Sequence, residues 1–156
     1  MKRMFTPLAT TLLLAAAPVM AQMPAALLDN ATVTGTPEQW KAATPALLAA
    51  LECRKKLNLA DRALRPLLLK KDSPNWTLVP PQNFAAFGLP VQSIRIYIDP
   101  DGELGASYTA ILAAPLNMAN KAVKVAASKK TNVGGLSAEQ GERPSLTKTV
   151  CTVSGE

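Results

Sequence analysis

The chain has 156 residues, no histidine, two cysteines and a formal charge of +6 from 17 basic and 11 acidic side chains. The absence of histidine removes the commonest general base, the Ser-His and Cys-His nucleophile systems and most zinc sites. Without Lys2 and Arg3, which fall in the leader described next, 15 basic against 11 acidic side chains leave +4, too mild for a nucleic-acid-binding domain, and no later segment approaches the ~18 consecutive apolar residues of a membrane-spanning helix.

Lys2 and Arg3 precede the apolar run LLLAAAPVMA, with Val19 and Ala21 at the outer and inner cleavage positions. This pattern predicts a secretory signal peptide over residues 1–21. Residues 22–36 mix Pro, Ala, Asn, Thr and Gly without a sustained period and are expected to form a flexible arm. Residues 37–156 are long enough for one domain with its own core. An exported chain with an even cysteine count predicts a disulfide, here Cys53 to Cys151, tying an early helix to the last strand.

Thr36, Pro37 and Glu38 read as an N-cap, a proline at the first helical position and a first-turn acid, starting a short helix that contains Trp40. Thr44 and Pro45 repeat the signal. Leu47, Leu48, Leu51 and Leu57 then recur at helical spacing, with Pro45 expected to break or kink any continuous helix over 37–57. Asn58 to Leu64 suggest a further helical turn, interrupted by Pro66. Residues 54–71 hold seven cations, the most basic part of the chain, without interleaved aromatics that would suggest base stacking. Trp76, Leu78 and Val79 predict a short strand ended by Pro80 and Pro81. Phe84 and Phe87 follow in a loop bearing Gly and Pro, as core plugs or as the lining of a ligand pocket.

The stretch VQSIRIYIDPDGELGASYTAILAA, residues 91–114, organises the chain as a two-stranded hairpin. Asp99, Pro100, Asp101 and Gly102 have the chemistry of a type I turn closed by a glycine bulge. That loop places Asp99 opposite Glu103, Ile98 opposite Leu104, Ile96 opposite Ala106 and Ile94 opposite Tyr108 on an apolar face. The other face carries Ser93, Arg95 and Tyr97, paired with Thr109, Ser107 and Gly105. Pro115 begins an amphipathic helix with Leu116, Ala119, Ala122, Val123 and Ala126 on one stripe. Residues 129–144 read as an exposed loop with a short strand near Val133 to Leu136. Leu146 to Ser154 is a final strand, placed at a sheet edge because neither of its faces is strongly apolar.

These elements predict an α+β fold: an antiparallel sheet built on the central hairpin, helices on one face, one disulfide. The functional expectation is an exported, periplasmic or extracellular, non-enzymatic binding protein. Its partner would be an unknown ligand or a cell-envelope protein; no nucleic acid, cofactor or metal is expected, and the chain would be a monomer. The candidate ligand-binding residues are Arg95, Tyr97, Phe84 and Phe87. Two alternatives stand beside this reading. One is a carboxylate-dependent hydrolase of a cell-envelope polymer using Asp99, Asp101 or Glu103, which requires a concave site there. The other is an inhibitor of a partner's hydrolase acting through a projecting loop in 129–144. The string DPDGE also shares residues with calcium loops, but Ala110 stands where the twelfth position needs a glutamate.

Overall fold

The computed structural model describes residues 33–69, 73–129 and 132–155. The expected signal peptide and residues 22–32 of the arm lie outside the described residues. Helix α1 spans Pro37–Leu51 and opens with a capping box: the Thr36 N–H donates to Gln39 Oε1 at 2.8 Å, and the Gln39 N–H donates to Thr36 Oγ1. The two expected helix starts are one helix, with Pro45 inside it. Lys41, whose carbonyl Pro45 leaves without a helical donor, is exposed, as is Pro45 itself, so water can reach that acceptor. The opposite face buries Trp40, Leu47 and Leu51 almost completely. At about 1.5–3 kcal/mol per large apolar side chain, this burial exceeds the ~3 kcal/mol of an internal proline.

The helix stops at Leu51 and does not continue to Leu57, because Cys53 turns to φ +61°. The disulfide forms as expected: Cys53 and Cys151 are bonded at 2.02 Å, with Cα atoms 5.3 Å apart. The Cys53 carbonyl also accepts from the Val133 N–H at 2.9 Å. Arg54 to Leu69 then run in successive turns, pinned by the Ala60 N–H on Asn58 Oδ1 and the Ala63 N–H on Asp61 Oδ1.

The remaining elements are β1 (Asn75–Leu78), β2 (Ala85–Ala86), β3 (Leu89–Ile98), β4 (Ala106–Leu112), α2 (Leu116–Ala127), β5 (Gly135–Gln140) and β6 (Thr147–Val153). The strands form an antiparallel six-stranded sheet in the order β1-β3-β4-β6-β5, with the two-residue β2 paired to the start of β3. Its core face stacks Trp76 and Leu78 beside Ile96 and Ile94, then Tyr108 and Ala110, then Cys151 and Thr149. Helix α1 packs over β4 and β6, and α2 over β5, with Ala119, Val123 and Ala126 inward. The fold is α+β with helices on one face of the sheet.

The hairpin has the expected faces but a register two residues longer than expected. Ile98 pairs with Ala106, Ile96 with Tyr108 and Ile94 with Ala110. The turn itself forms, with the Gly102 N–H donating to the Asp99 carbonyl at 3.2 Å. The Asp99 carboxylate, however, accepts the Leu104 N–H at 2.9 Å, so Glu103 and Leu104 stay out of the ladder. The ladder resumes at Gly105, φ +80°, whose carbonyl accepts the Asp99 N–H. A side chain at Gly105 would sit 2.0 Å from the Val153 carbonyl, so β6 reserves that position for glycine.

Strand β6 is interior, between β4 and β5, and not at an edge. Its inward residues include Thr147 and Thr149, 0% and 1% exposed, whose hydroxyls donate to the carbonyls of Ala114 and Ala110 at 2.8 and 3.3 Å. Threonines with satisfied hydroxyls make a core face that does not look apolar in sequence. The edge is β5, longer and later than the strand expected near Val133, so much of the stretch expected as a loop lies in the sheet. Lys148 faces Glu139 across that pair at 3.3 Å.

Candidate functional site

Because side chains alternate along a strand, the sheet residues not directed at the helices share the opposite face. Its central row runs Thr77, Arg95, Thr109, Val150 and Ser137, one residue from each of five strands. Tyr97 stands in the next row beside Ser107, and Ile111 beside Lys148 in the row on the other side. Both helices bury their apolar residues on the other side of the sheet.

The chemistry of this face is mixed. Arg95 is exposed, Tyr97, Ile111 and Val150 are half-buried, and Thr109 at the centre is 8% exposed. Lys148 is answered by Glu139 within the face, which leaves Arg95 as its outward cation. Arg95 and Tyr97 are therefore brought together as expected from alternation, but their cross-strand neighbours are Thr109 and Ser107, following the longer register. Thr109 lies on this face as expected but beside Arg95 rather than Ser93, whereas Val150 joins it only because β6 is interior and not at an edge. The Thr147–Val153 alternation was the available signal.

The two phenylalanines do not join them. Phe84 is 5% exposed and meets Trp40 edge-to-face, with ring centroids 5.3 Å apart at 66°. It belongs to the core on the helix side, where it also lines a hollow of about 550 Å³ together with Pro37, Lys41 and Pro81. Phe87, at φ +56°, and Gly88, at φ +74°, form the two-residue turn joining β2 to β3. Positive φ at both positions is the geometry of a type I′ hairpin turn. The Phe87 N–H donates to Glu52 Oε1 at 3.4 Å, tying this turn to the end of α1.

Of the hairpin carboxylates, Asp99 and Asp101 line a hollow of about 300 Å³ with Lys56 and Tyr108. Asp99 is engaged by the Leu104 N–H. Tyr108 is 1% exposed, and its hydroxyl oxygen accepts from the Leu57 N–H at 3.0 Å. Burial raises the Tyr108 pKa, and the Leu57 hydrogen bond opposes that rise. Among the described residues, no group of three or more Cys, Asp or Glu side chains is placed to hold a metal ion, and no helix is long and apolar enough to cross a membrane. No family model, curated protein or solved structure matches this chain.

Proposed function

We propose that this chain is an exported, non-enzymatic interaction protein that binds a partner protein through the sheet face centred on Arg95 and Tyr97. The observation that carries this reading is a five-stranded face on the side away from both helices. It combines an exposed arginine and a tyrosine with the half-buried Ile111 and Val150. Arg and Tyr are the residue types most enriched where interfaces concentrate their binding energy. A sheet face that mixes polar and apolar side chains in this way suits a macromolecule better than a small ligand, which is usually held in a concave pocket. The partner surface would present a carboxylate to Arg95 and apolar side chains to Ile111 and Val150. Export is supported by the leader pattern and by the disulfide, which oxidising compartments maintain.

The test is affinity capture from cell-envelope extract with wild-type protein, with Arg95→Glu, and with Lys121→Glu on exposed α2 as a control. The expected outcome is one captured protein that is retained by the control and lost with Arg95→Glu. Equal capture by all three would refute the assignment of this face.

The hollow at the hairpin tip favours a second reading, the carboxylate-dependent hydrolase, since it supplies the concavity that chemistry needs. Asp101 is its available carboxylate. Hydrolysis of an envelope glycan by the wild type, abolished in Asp101→Asn, would establish that reading in place of the first.

A further inference from the structure

The turns from Arg54 to Leu69 concentrate positive charge: Arg54, Lys55, Lys56, Arg62 and Arg65 stand against Asp61 alone. Arg54 is paired with Glu52 at 2.8 Å, while Arg62 and Arg65 are exposed. The leucines of the same segment divide into two sets. Leu64, Leu67 and Leu68 enter the core, but Leu59 is 41% exposed and Leu69 is 79% exposed. These two outward leucines are not scattered. They share one hollow of about 460 Å³ with Leu68, Trp76 and Arg65, in which Leu68 and Trp76 are the buried members.

Arg65 lines this hollow and the exposed Arg62 lies three residues before it in the same run of turns, so charge and apolar surface meet here and together restrict what fits. A nucleic acid or acidic glycan would satisfy the guanidinium groups but leave Leu59 and Leu69 in water. A neutral apolar ligand would fill the hollow and leave the arginines without an anion. An anionic amphiphile answers both, because its phosphate can accept from a guanidinium while its acyl region covers the leucines. We propose that this hollow docks on an anionic phospholipid surface, with Leu59 and Leu69 at the headgroup–acyl boundary and Arg62 and Arg65 on lipid phosphates. Trp76 lies on the helix-bearing side of the sheet and Arg95 on the other, so a chain docked in this way keeps the Arg95 face open to a partner.

The experiment is vesicle co-sedimentation of the intact chain with phosphatidylglycerol-containing vesicles and with neutral phosphatidylcholine vesicles. It compares wild type, Arg62→Gln/Arg65→Gln and Leu59→Ser/Leu69→Ser. All carry the same N-terminus, so any lipid binding by the first 32 residues is common to them and differences report on the hollow. All four substituted side chains are exposed, and an unchanged melting temperature confirms that each variant folds. Wild type is expected to favour the anionic vesicles at least tenfold. The arginine pair should lose roughly 25-fold, about fivefold per cation near an anionic surface, and the leucine pair about tenfold or more. Equal binding to both vesicle types, or none, overturns the proposal. So does a loss confined to the arginine variant, since adsorption by charge alone does not use the hollow.

Discussion

Thr147 Oγ1 donates to the Ala114 carbonyl at 2.8 Å, joining the start of β6 to the turn that leads into α2, and Thr147 is 0% exposed. An isosteric Thr147→Val change keeps the shape and removes the donor. It is expected to destabilise the fold by about 1–3 kcal/mol, the range for a buried polar group left unsatisfied. Thr152→Val, on the exposed side of the same strand, should stay within ~0.5 kcal/mol. Urea unfolding of the two variants measures the difference.

The hairpin register makes a paired prediction. Gly102 and Gly105 both have φ +80°, but a Cβ at Gly102 meets open space and one at Gly105 meets the Val153 carbonyl. Gly102→Ala should lose only the left-handed backbone penalty, about 1–2 kcal/mol. Gly105→Ala should lose a further 1–3 kcal/mol or so from the clash with β6. Similar melting temperatures for the two variants would contradict the register.

Tyr108 sets a pH limit. Its folded pKa is raised above the unfolded value of about 10, so the folded state holds this proton more tightly. The associated stability is fully present below about pH 10 and is lost as pH rises through the folded pKa. Urea midpoints for wild type should fall more steeply above pH 10 than those of Tyr108→Phe. Parallel curves would exclude Tyr108 as the cause.

The disulfide closes a sequence separation of 98 residues between the end of α1 and β6. Cys53→Ala/Cys151→Ala is expected to lose about 2–4 kcal/mol, because the unfolded chain regains the freedom the bridge removed. Thermal unfolding of this variant beside wild type checks the magnitude.

Local chemistry made several elements legible in the sequence. The Thr36–Pro37 start, the strand at Trp76, the alternation of Ile94, Ile96 and Ile98, and the α2 stripe each depend on neighbours within a few residues. The misread features depend on partners far along the chain. Pro45 is tolerated inside α1 because Trp40, Leu47 and Leu51 bury against distant strands. The two-residue shift of the hairpin follows from Asp99 capping Leu104 and from β6 lying against Gly105. Thr147 and Thr149 are core residues only because Ala114 and Ala110 supply acceptors. The same distinction applies to the candidate site. Alternation alone puts Arg95, Tyr97 and Thr109 on one face, whereas setting Thr109 beside Arg95 requires the longer register, and adding Val150 and Ser137 requires the strand order. Phe84 and Phe87, adjacent in sequence to that surface, belong to the helix side because the type I′ turn folds β2 back onto β3.

The most direct measurement of recognition through the Arg95 face is site-specific photo-cross-linking in producing cells. A photoreactive residue would be placed singly at Thr77 and Thr152 on that face, and at Lys121 on α2. The expected result is one adduct of the same mass at Thr77 and Thr152, absent at Lys121 and lost when Arg95→Glu is added. An adduct that forms only at Lys121, or one at the face positions that survives Arg95→Glu, would contradict it.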